Sequence, residues 1–498
     1  MLFHEQSFLL IFLPFVVLGY FLLIKYPKII QHVFLLTCSL FFYGYYNLNH
    51  IFLIIFSILF NYNISSFIIR NKKLSKIALI IGLFSNILLL ISFKYIDFII
   101  YNFNFVFGQS KKNLEVELPL AISFFTFQQI AYLVDSKKGL IKNTNFIKYC
   151  LFIVFFPQLI AGPIVRFQQI INQLNSVKKQ LKPENLLTGF CLFSFGLYKK
   201  HYLADGMKPI ADSLFFIIDR GSNPSILESW IGSIAFGLQI YFDFSAYSDM
   251  AIGLALLFGI YLPLNFNSPY KSANITEFWR RWHITLSEFL RDYLYFPLGG
   301  NRKGLHRGIF NAMLVMILGG LWHGASWTFI AWGTYHGILI GLTHALKRYV
   351  GFNSKMISKS INTVCFNKFT TFVLVSIGWV FFRSENFQQA RIVLESMFGL
   401  SGFDLSRSLK IINETEIIRF NGFLPNQELD ITLLPMIPIL LLTVWVMPNS
   451  NQFLKLNPTK FSSKIPSKIL LLVCGILFFF SIKISLENTV HEFLYFQF

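Results

Sequence analysis

Charge is scarce in this chain: 13% of its 498 residues are Asp, Glu, Lys or Arg, against 54% hydrophobic residues that include 60 Phe. A single water-facing fold cannot bury that much apolar surface, so an ordinary soluble protein is excluded. Cysteine is scarce as well. Cys38, Cys150, Cys191, Cys365 and Cys474 are scattered without metal-ligand spacing and lie mostly inside apolar runs, which argues against a zinc site and against a disulfide framework. A Gly-rich phosphate loop and a dinucleotide fingerprint are missing, so no tightly bound cofactor is expected. The start, Met1-Leu2-Phe3-His4-Glu5, lacks a basic n-region, and no small-residue cleavage site follows the first apolar run, which is therefore expected to be retained. Internal duplication is missing too, which weighs against the paired repeats of many secondary transporters.

Apolar sequence, in contrast, recurs from end to end. Runs near spanning length occupy residues 7–24, 32–46, 50–69, 77–93, 118–134, 147–161 and 187–197. Further runs follow at 230–241, 251–264, 309–321, 326–346, 369–382, 431–446 and 469–484. Several fall short of a full crossing, so about ten to twelve spans are expected, with re-entrant and interfacial helices besides. The chain reads as one all-α polytopic membrane domain over 1–498. Its parts are N-terminal helices at 1–113, a motif-bearing core at 114–400, an external loop at 401–430 and closing helices at 431–498.

The net charge of +19 has a membrane explanation. Short basic loops at 70–76, 178–182 and 302–307 fit the cytoplasmic excess of Lys and Arg that orients membrane helices. Nucleic-acid binding is a poor reading, because these residues alternate with spans and are not collected on one module. Lys25 and Lys28 follow the first span and Lys455, Lys460, Lys464 and Lys468 precede the last, so both termini are expected outside. The acidic stretch 402–430 is a candidate external loop for an extracytoplasmic partner, or a plain connection between spans.

His323 stands in an apolar run without a charged neighbour, Leu318 to Phe329. An ionisable side chain at membrane depth faces a polar cavity or a partner and marks chemistry or transport; otherwise it is a neutral histidine bonded within its helix. Asn274 with Glu277 three residues on predicts a helix start. Beyond it Trp279, His283, Leu286 and Leu290 share one helical face, and Glu277, Arg281, Glu288 and Arg291 another. This amphipathic helix is expected at the membrane surface or along a water-filled funnel, ended by Pro297-Leu298-Gly299-Gly300-Asn301. His283 points to the apolar side, where it either packs or divides base and orienting roles with His323. Asp243 and Asp249, in an otherwise apolar stretch, need partners: they orient a histidine, pair with Arg280 or Arg281, or hold a broken helix together. A structural ion pair is favoured over catalysis, and metal binding is not expected without a second ligand at helical spacing.

Five ordered motifs carry a family resemblance: LPLAISFFTFQQIAYLVD from Leu118, FFPQLIAGPIVRF over 155–167, YFDFSAYSDMAIGLALLFG over 241–259, FWRRWHITLSEFLRDYLYFPLGGNRKG over 278–304 and GGLWHGASWTFIAWGTYHG over 319–337. Together they closely resemble the membrane-bound O-acyltransferase (MBOAT) family, and within it the bacterial alginate and polysaccharide O-acetylation branch. The match is strong from about residue 115 to 400 and rests on hydropathy outside that range. The resemblance implies helices around a central tunnel. It also implies that His323 of the WHG motif is the central catalytic residue and His283 of the RWH motif its companion. Ala121 and Ala246 stand where glycine is common in the family, but neither change removes a reacting group.

The chemistry so implied moves an acetyl or other acyl group from a cytoplasmic thioester to an extracytoplasmic polysaccharide. His323 would serve as base or as acyl carrier, and His283 would orient the acceptor or stabilise the oxyanion. Trp279 and Trp282 would shape the cavity, with Asp243, Asp249 and Arg281 as further binding candidates. Arg302, Lys303 and Arg307 would attract the phosphates of acetyl-coenzyme A or an acidic acyl-carrier protein, unless they only orient the loop. The expected setting is the bacterial cytoplasmic membrane, with an extracytoplasmic acetyltransferase as partner. Alternatives are D-alanyl or peptidoglycan O-acyl transfer, a proton-coupled transporter using Asp243, Asp249 and the histidines, and a scaffold that recruits soluble enzymes through the external loop. The length after Arg383 favours the acetylation branch over the shorter D-alanyl type.

Overall fold

In hydrocarbon every backbone N–H and C=O needs an internal partner, so a chain this apolar crosses as helices. The computed structural model describes residues 1–109, 112, 114–142, 145–174, 182–349, 361–400, 434–454, 467–487 and 493–494, and its regular structure there is helical. Among the described residues seven helices are long and apolar enough to span: Ser7–Lys25, Leu48–Arg70, Ser75–Phe107, Ile226–Leu257, Leu305–His323, Thr363–Arg383 and Lys468–Leu486. Lys28–Gly44 and Met436–Val446 are shorter apolar helices. The chain is thus an all-helical, multi-pass membrane protein. Some apolar runs fold into shorter pieces: residues 147–161 divide into Phe146–Val154 and Phe156–Leu159, with Pro157 near the start of the second. The acidic stretch 402–430 lies outside the described residues.

The chain forms two compact units. The first comprises Met1–Tyr198, Ala246–Asn265 and Ser450–Val490; the second comprises Lys199–Ser245, Phe266–Asn449 and His491–Phe498.

In the first unit, helices Leu48–Arg70, Ser75–Leu90 and Ile122–Lys137 are joined by buried polar side chains. Asn61 Nδ2 donates to Gln129 Oε1 (2.8 Å), Asn86 Nδ2 to Asn61 Oδ1 (2.7 Å) and Ser57 Oγ to Gln129 Oε1 (2.6 Å). Helix association in lipid has no hydrophobic drive, so hydrogen bonds and close packing hold these helices together. Ala121 caps the third helix in the left-handed region at φ 59°, a conformation that suits glycine.

In the second unit, Leu305–His323 and Trp327–Tyr349 cross closely through small residues. A Cβ on Gly320 would stand 2.2 Å from the Phe329 carbonyl oxygen, and one on Gly333 would stand 2.3 Å from that of Met316. Glycine at both positions lets the backbones approach and sets His323 against Trp332. Ile361–Arg383 adds Trp379 and Phe382 to the same core.

The expected amphipathic helix is two helices. Its start is as read: the Glu277 N–H donates to Asn274 Oδ1 (2.9 Å), and Glu277 Oε2 accepts from the Ala273 N–H (3.0 Å). Helix Ile275–Trp279 then ends, and Ile284–Leu290 begins after His283, whose φ is 42°. A left-handed residue breaks the helical repeat, so the four-three-four spacing does not continue one face through His283. Past the second helix, Asn311 Nδ2 donates to the carbonyls of Gly300 (2.8 Å) and Leu298 (3.2 Å) and pins the Pro297–Asn301 turn.

Candidate active site

His323 is the last residue of its helix and is buried among rings: Trp322 at 5.0 Å, Trp332 at 5.1 Å and Phe382 at 5.2 Å between centroids. It lines an apolar cavity of about 160 Å³ together with Trp279, Leu286, Leu290, Met316 and Trp332; Arg291 and Tyr295 also reach it. That volume resembles the engineered cavity of about 150 Å³ that admits benzene, so it holds about six heavy atoms beside the imidazole. An acetyl thioester fits that size.

His283 reaches the same neighbourhood from behind. Its ring packs edge-on against Phe244 at 4.7 Å and lies 6.2 Å from Trp322, whose indole also contacts His323. His283 is absent from the cavity wall among the described residues. It lies outside the candidate spans, and burial alone pushes its pKa down to about 3, so the ring is neutral. Trp282 also lies off this wall. It packs against Trp379 at 4.9 Å and Phe266 at 5.1 Å.

The acids have other partners than Arg280 or Arg281. Asp243 Oδ1 pairs with Lys200 Nζ at 2.9 Å, and its Oδ2 accepts from the Leu494 N–H at 2.7 Å. Lys200 also holds Asp205 at 2.8 Å, so one buried lysine joins two carboxylates. The lysine was not foreseen because it lies 43 positions upstream of Asp243. Asp249, in the first unit, accepts from Ser450 Oγ and, at 3.5 Å, from Asn451 Nδ2. Arg281, just past helix Ile275–Trp279, turns back on it, with Nη2 on Glu277 Oε1 at 2.7 Å and Nη1 on the Asn267 carbonyl at 3.2 Å.

Arg302, Lys303 and Arg307 are exposed. A second cavity of about 390 Å³ is lined by Asn301, His344, Lys347 and Arg348 and shares Tyr295 with the His323 cavity. These C-terminal residues of Trp327–Tyr349 were missed because their charges resemble any helix end.

His336 was also missed. It is fully buried, with neither ring nitrogen hydrogen-bonded among the described residues, and packs on Trp332 at 5.1 Å and Trp279 at 5.2 Å. Gly378 makes room for it: a Cβ there would stand 2.7 Å from His336 Nε2. The criterion that singled out His323, an ionisable ring in an apolar run, applies equally to His336.

Among the described residues no group of three His, Cys, Asp or Glu side chains converges as a metal site. The arrangement offers a buried imidazole at an apolar cavity that shares Tyr295 with a second cavity lined by Lys347 and Arg348. That suits chemistry on a small acyl group carried by an anionic donor.

Comparison with known proteins places the chain in a family. Residues 35–383 match the model of MBOAT, the membrane-bound O-acyltransferase family. A peptidoglycan O-acetyltransferase of Helicobacter pylori is 38% identical over 100% of this chain and 98% of its own length. A probable alginate O-acetylase AlgI of Pseudomonas aeruginosa is 39% identical over 82% of this chain and 76% of its own. A teichoic acid D-alanyltransferase of Bacillus subtilis is 28% identical over 53% of this chain and 66% of its own. With the helical membrane fold and the matched core around His323, the chain belongs to the membrane-bound O-acyltransferase family and is an acyltransferase.

Proposed function

We propose that this enzyme transfers an acetyl group from a cytoplasmic thioester toward the O-acetylation of an extracytoplasmic glycan, with His323 at the reacting centre. The carrying observation is the buried imidazole in the wall of a cavity of about 160 Å³. The relatives named for peptidoglycan and alginate acetylation align over far more of the chain than the D-alanyltransferase does, which supports acetyl transfer to a wall or secreted polysaccharide.

In direct transfer the His323 ring takes the acceptor hydroxyl proton as its oxygen attacks the thioester carbonyl. The resulting imidazolium returns that proton to the departing thiolate, so the products are an ester and a thiol. General-base catalysis of this kind contributes on the order of 10²–10⁴-fold. Transfer through an acyl-imidazole uses the same residue as nucleophile. His283, neutral and packed against Trp322 outside the cavity wall, acts through that indole on the placement of His323. Acetyl-coenzyme A or a carrier-protein thioester would bring phosphate to the basic groups at Arg302, Lys303 and Arg307, or at Lys347 and Arg348. The protein would work in the cytoplasmic membrane with both termini outside, alongside an extracytoplasmic acetyltransferase that completes the modification.

The test is reconstitution in vesicles with radiolabelled acetyl-coenzyme A and an envelope-polysaccharide acceptor, comparing wild type with His323→Ala at equal, verified folding. Label on the acceptor or a co-purified partner only with wild type is expected. Equal labelling by both would remove His323 from the mechanism. If neither labels, an acetylated carrier protein replaces the donor in the same comparison.

A further inference from the structure

Helix Leu48–Arg70 ends and Ser75–Phe107 begins at a basic turn that borders an open surface cavity of about 670 Å³, lined by Asn63, Ser66, Phe67, Arg70, Lys72 and Lys73, with Asn71. We propose that this cavity is a binding site for the headgroup of an anionic phospholipid, separate from acyl transfer and independent of the reading above.

What distinguishes it is its extent along the helix. Basic residues at the end of a span are ordinary orientation signals, but here the cavity continues down the helix. Asn63 lies seven residues before Arg70, about 10 Å along the axis at 1.5 Å per residue. Asn63 is exposed and Ser66 half-buried on a membrane-spanning helix. Polar side chains on such a surface are unfavourable against acyl chains and need a polar occupant. Asn63 Nδ2 donates to the Leu59 carbonyl at 2.9 Å, which leaves its amide oxygen turned outward as an acceptor for a glycerol hydroxyl. Above this floor, Arg70, Lys72 and Lys73 supply positive charge, and no described carboxylate forms an ion pair with them. Phe67, Leu74 and Ile77 are exposed beside the turn, where the lipid tails would lie. The pattern is basic rim, hydroxyl and amide floor, apolar flank. It matches a phosphodiester headgroup with its chains attached better than it matches a free anion, which has no use for the flank.

The full-length protein in mild detergent is titrated with phosphatidylglycerol, with phosphatidylcholine as control, and retained lipid is read by native mass spectrometry. Phosphatidylglycerol should be retained preferentially, and Arg70→Gln, Lys72→Gln and Lys73→Gln should each weaken retention about fivefold. Asn63→Leu leaves every charge in place and should also weaken it. It decides the matter alone if the charge variants insert wrongly. A triple Arg302→Gln, Lys303→Gln, Arg307→Gln variant should retain lipid as wild type does. Equal retention by wild type and Asn63→Leu, or equal loss from the 302–307 variant, overturns the site in favour of diffuse surface charge. Displacement of the lipid by millimolar inorganic phosphate overturns the lipid in favour of a free-phosphate site.

Discussion

His283 combines two constraints that a single substitution can separate. Its φ of 42° favours residues that tolerate the left-handed region, and its ring fills a space against Phe244. Asparagine tolerates that backbone while losing the imidazole. His283→Asn should therefore fold and insert like wild type, as read by thermal stability, yet lose acetyl transfer by about 100-fold if the ring acts in catalysis. His283→Val should lose both. Burial also sets a pH dependence. With a folded pKa of about 3 against an ordinary 6.5, the unfolded chain alone gains this proton below pH 6.5, so stability falls as pH drops toward 3. At pH 5 the loss is about 2 kcal/mol, and it should be absent in His283→Asn. Ala121, at φ 59°, presents the opposite case: Ala121→Gly should stabilise by about 1 kcal/mol by releasing left-handed strain, measured by thermal melting in detergent. The residue types here were legible in the sequence. Their backbone conformations were not, because a positive φ at His or Ala arises only where surrounding packing outweighs the local preference.

The pair Leu305–His323 and Trp327–Tyr349 shows how far periodicity reaches. Both helices follow from their apolar runs, and the WHG motif marks the turn between them. Their closeness depends on Gly320 and Gly333, each of which faces a carbonyl oxygen of the opposite helix. Adding a methyl at either position separates the backbones and moves His323 relative to Trp332. Gly333→Ala should thus lower both the melting temperature and the acetyl-transfer rate, whereas Gly475→Ala, with open space around its added methyl, should change neither. The motif between Asn274 and Gly300 was legible at its ends. The Asn274 cap and the Glu277–Arg281 pair are local, within four residues, so sequence spacing suffices. The break at residues 280–283 was hidden, since the same apolar spacing suits one bent helix or two short ones.

The charge pattern makes a claim about the chain's orientation that can be tested directly. If the basic excess sets topology, cysteines introduced at Lys72 and Lys303 should react only with reagent from the cytoplasmic side, and one introduced near Glu416 only from outside. Labelling of Lys72→Cys from outside would reverse the proposed path from thioester to glycan. Composition, the long apolar runs and five motifs determined by themselves that this is a helical membrane protein of the acyltransferase type, because the periodicity of apolar residues and the order of the motifs are properties of the linear chain. The tertiary structure alone decided that Lys200 neutralises Asp243, that Trp322 contacts both motif histidines, that His336 backs the cavity wall, and that polar residues line the cavity beside the Arg70–Lys73 turn. Lys200 with Asp243, His283 with Trp322 and His336 with Trp279 join residues about 40 or more positions apart, and which distant side chain completes a buried charge or fills a gap depends on how helices pack, a choice that many sequences of the same pattern would leave open.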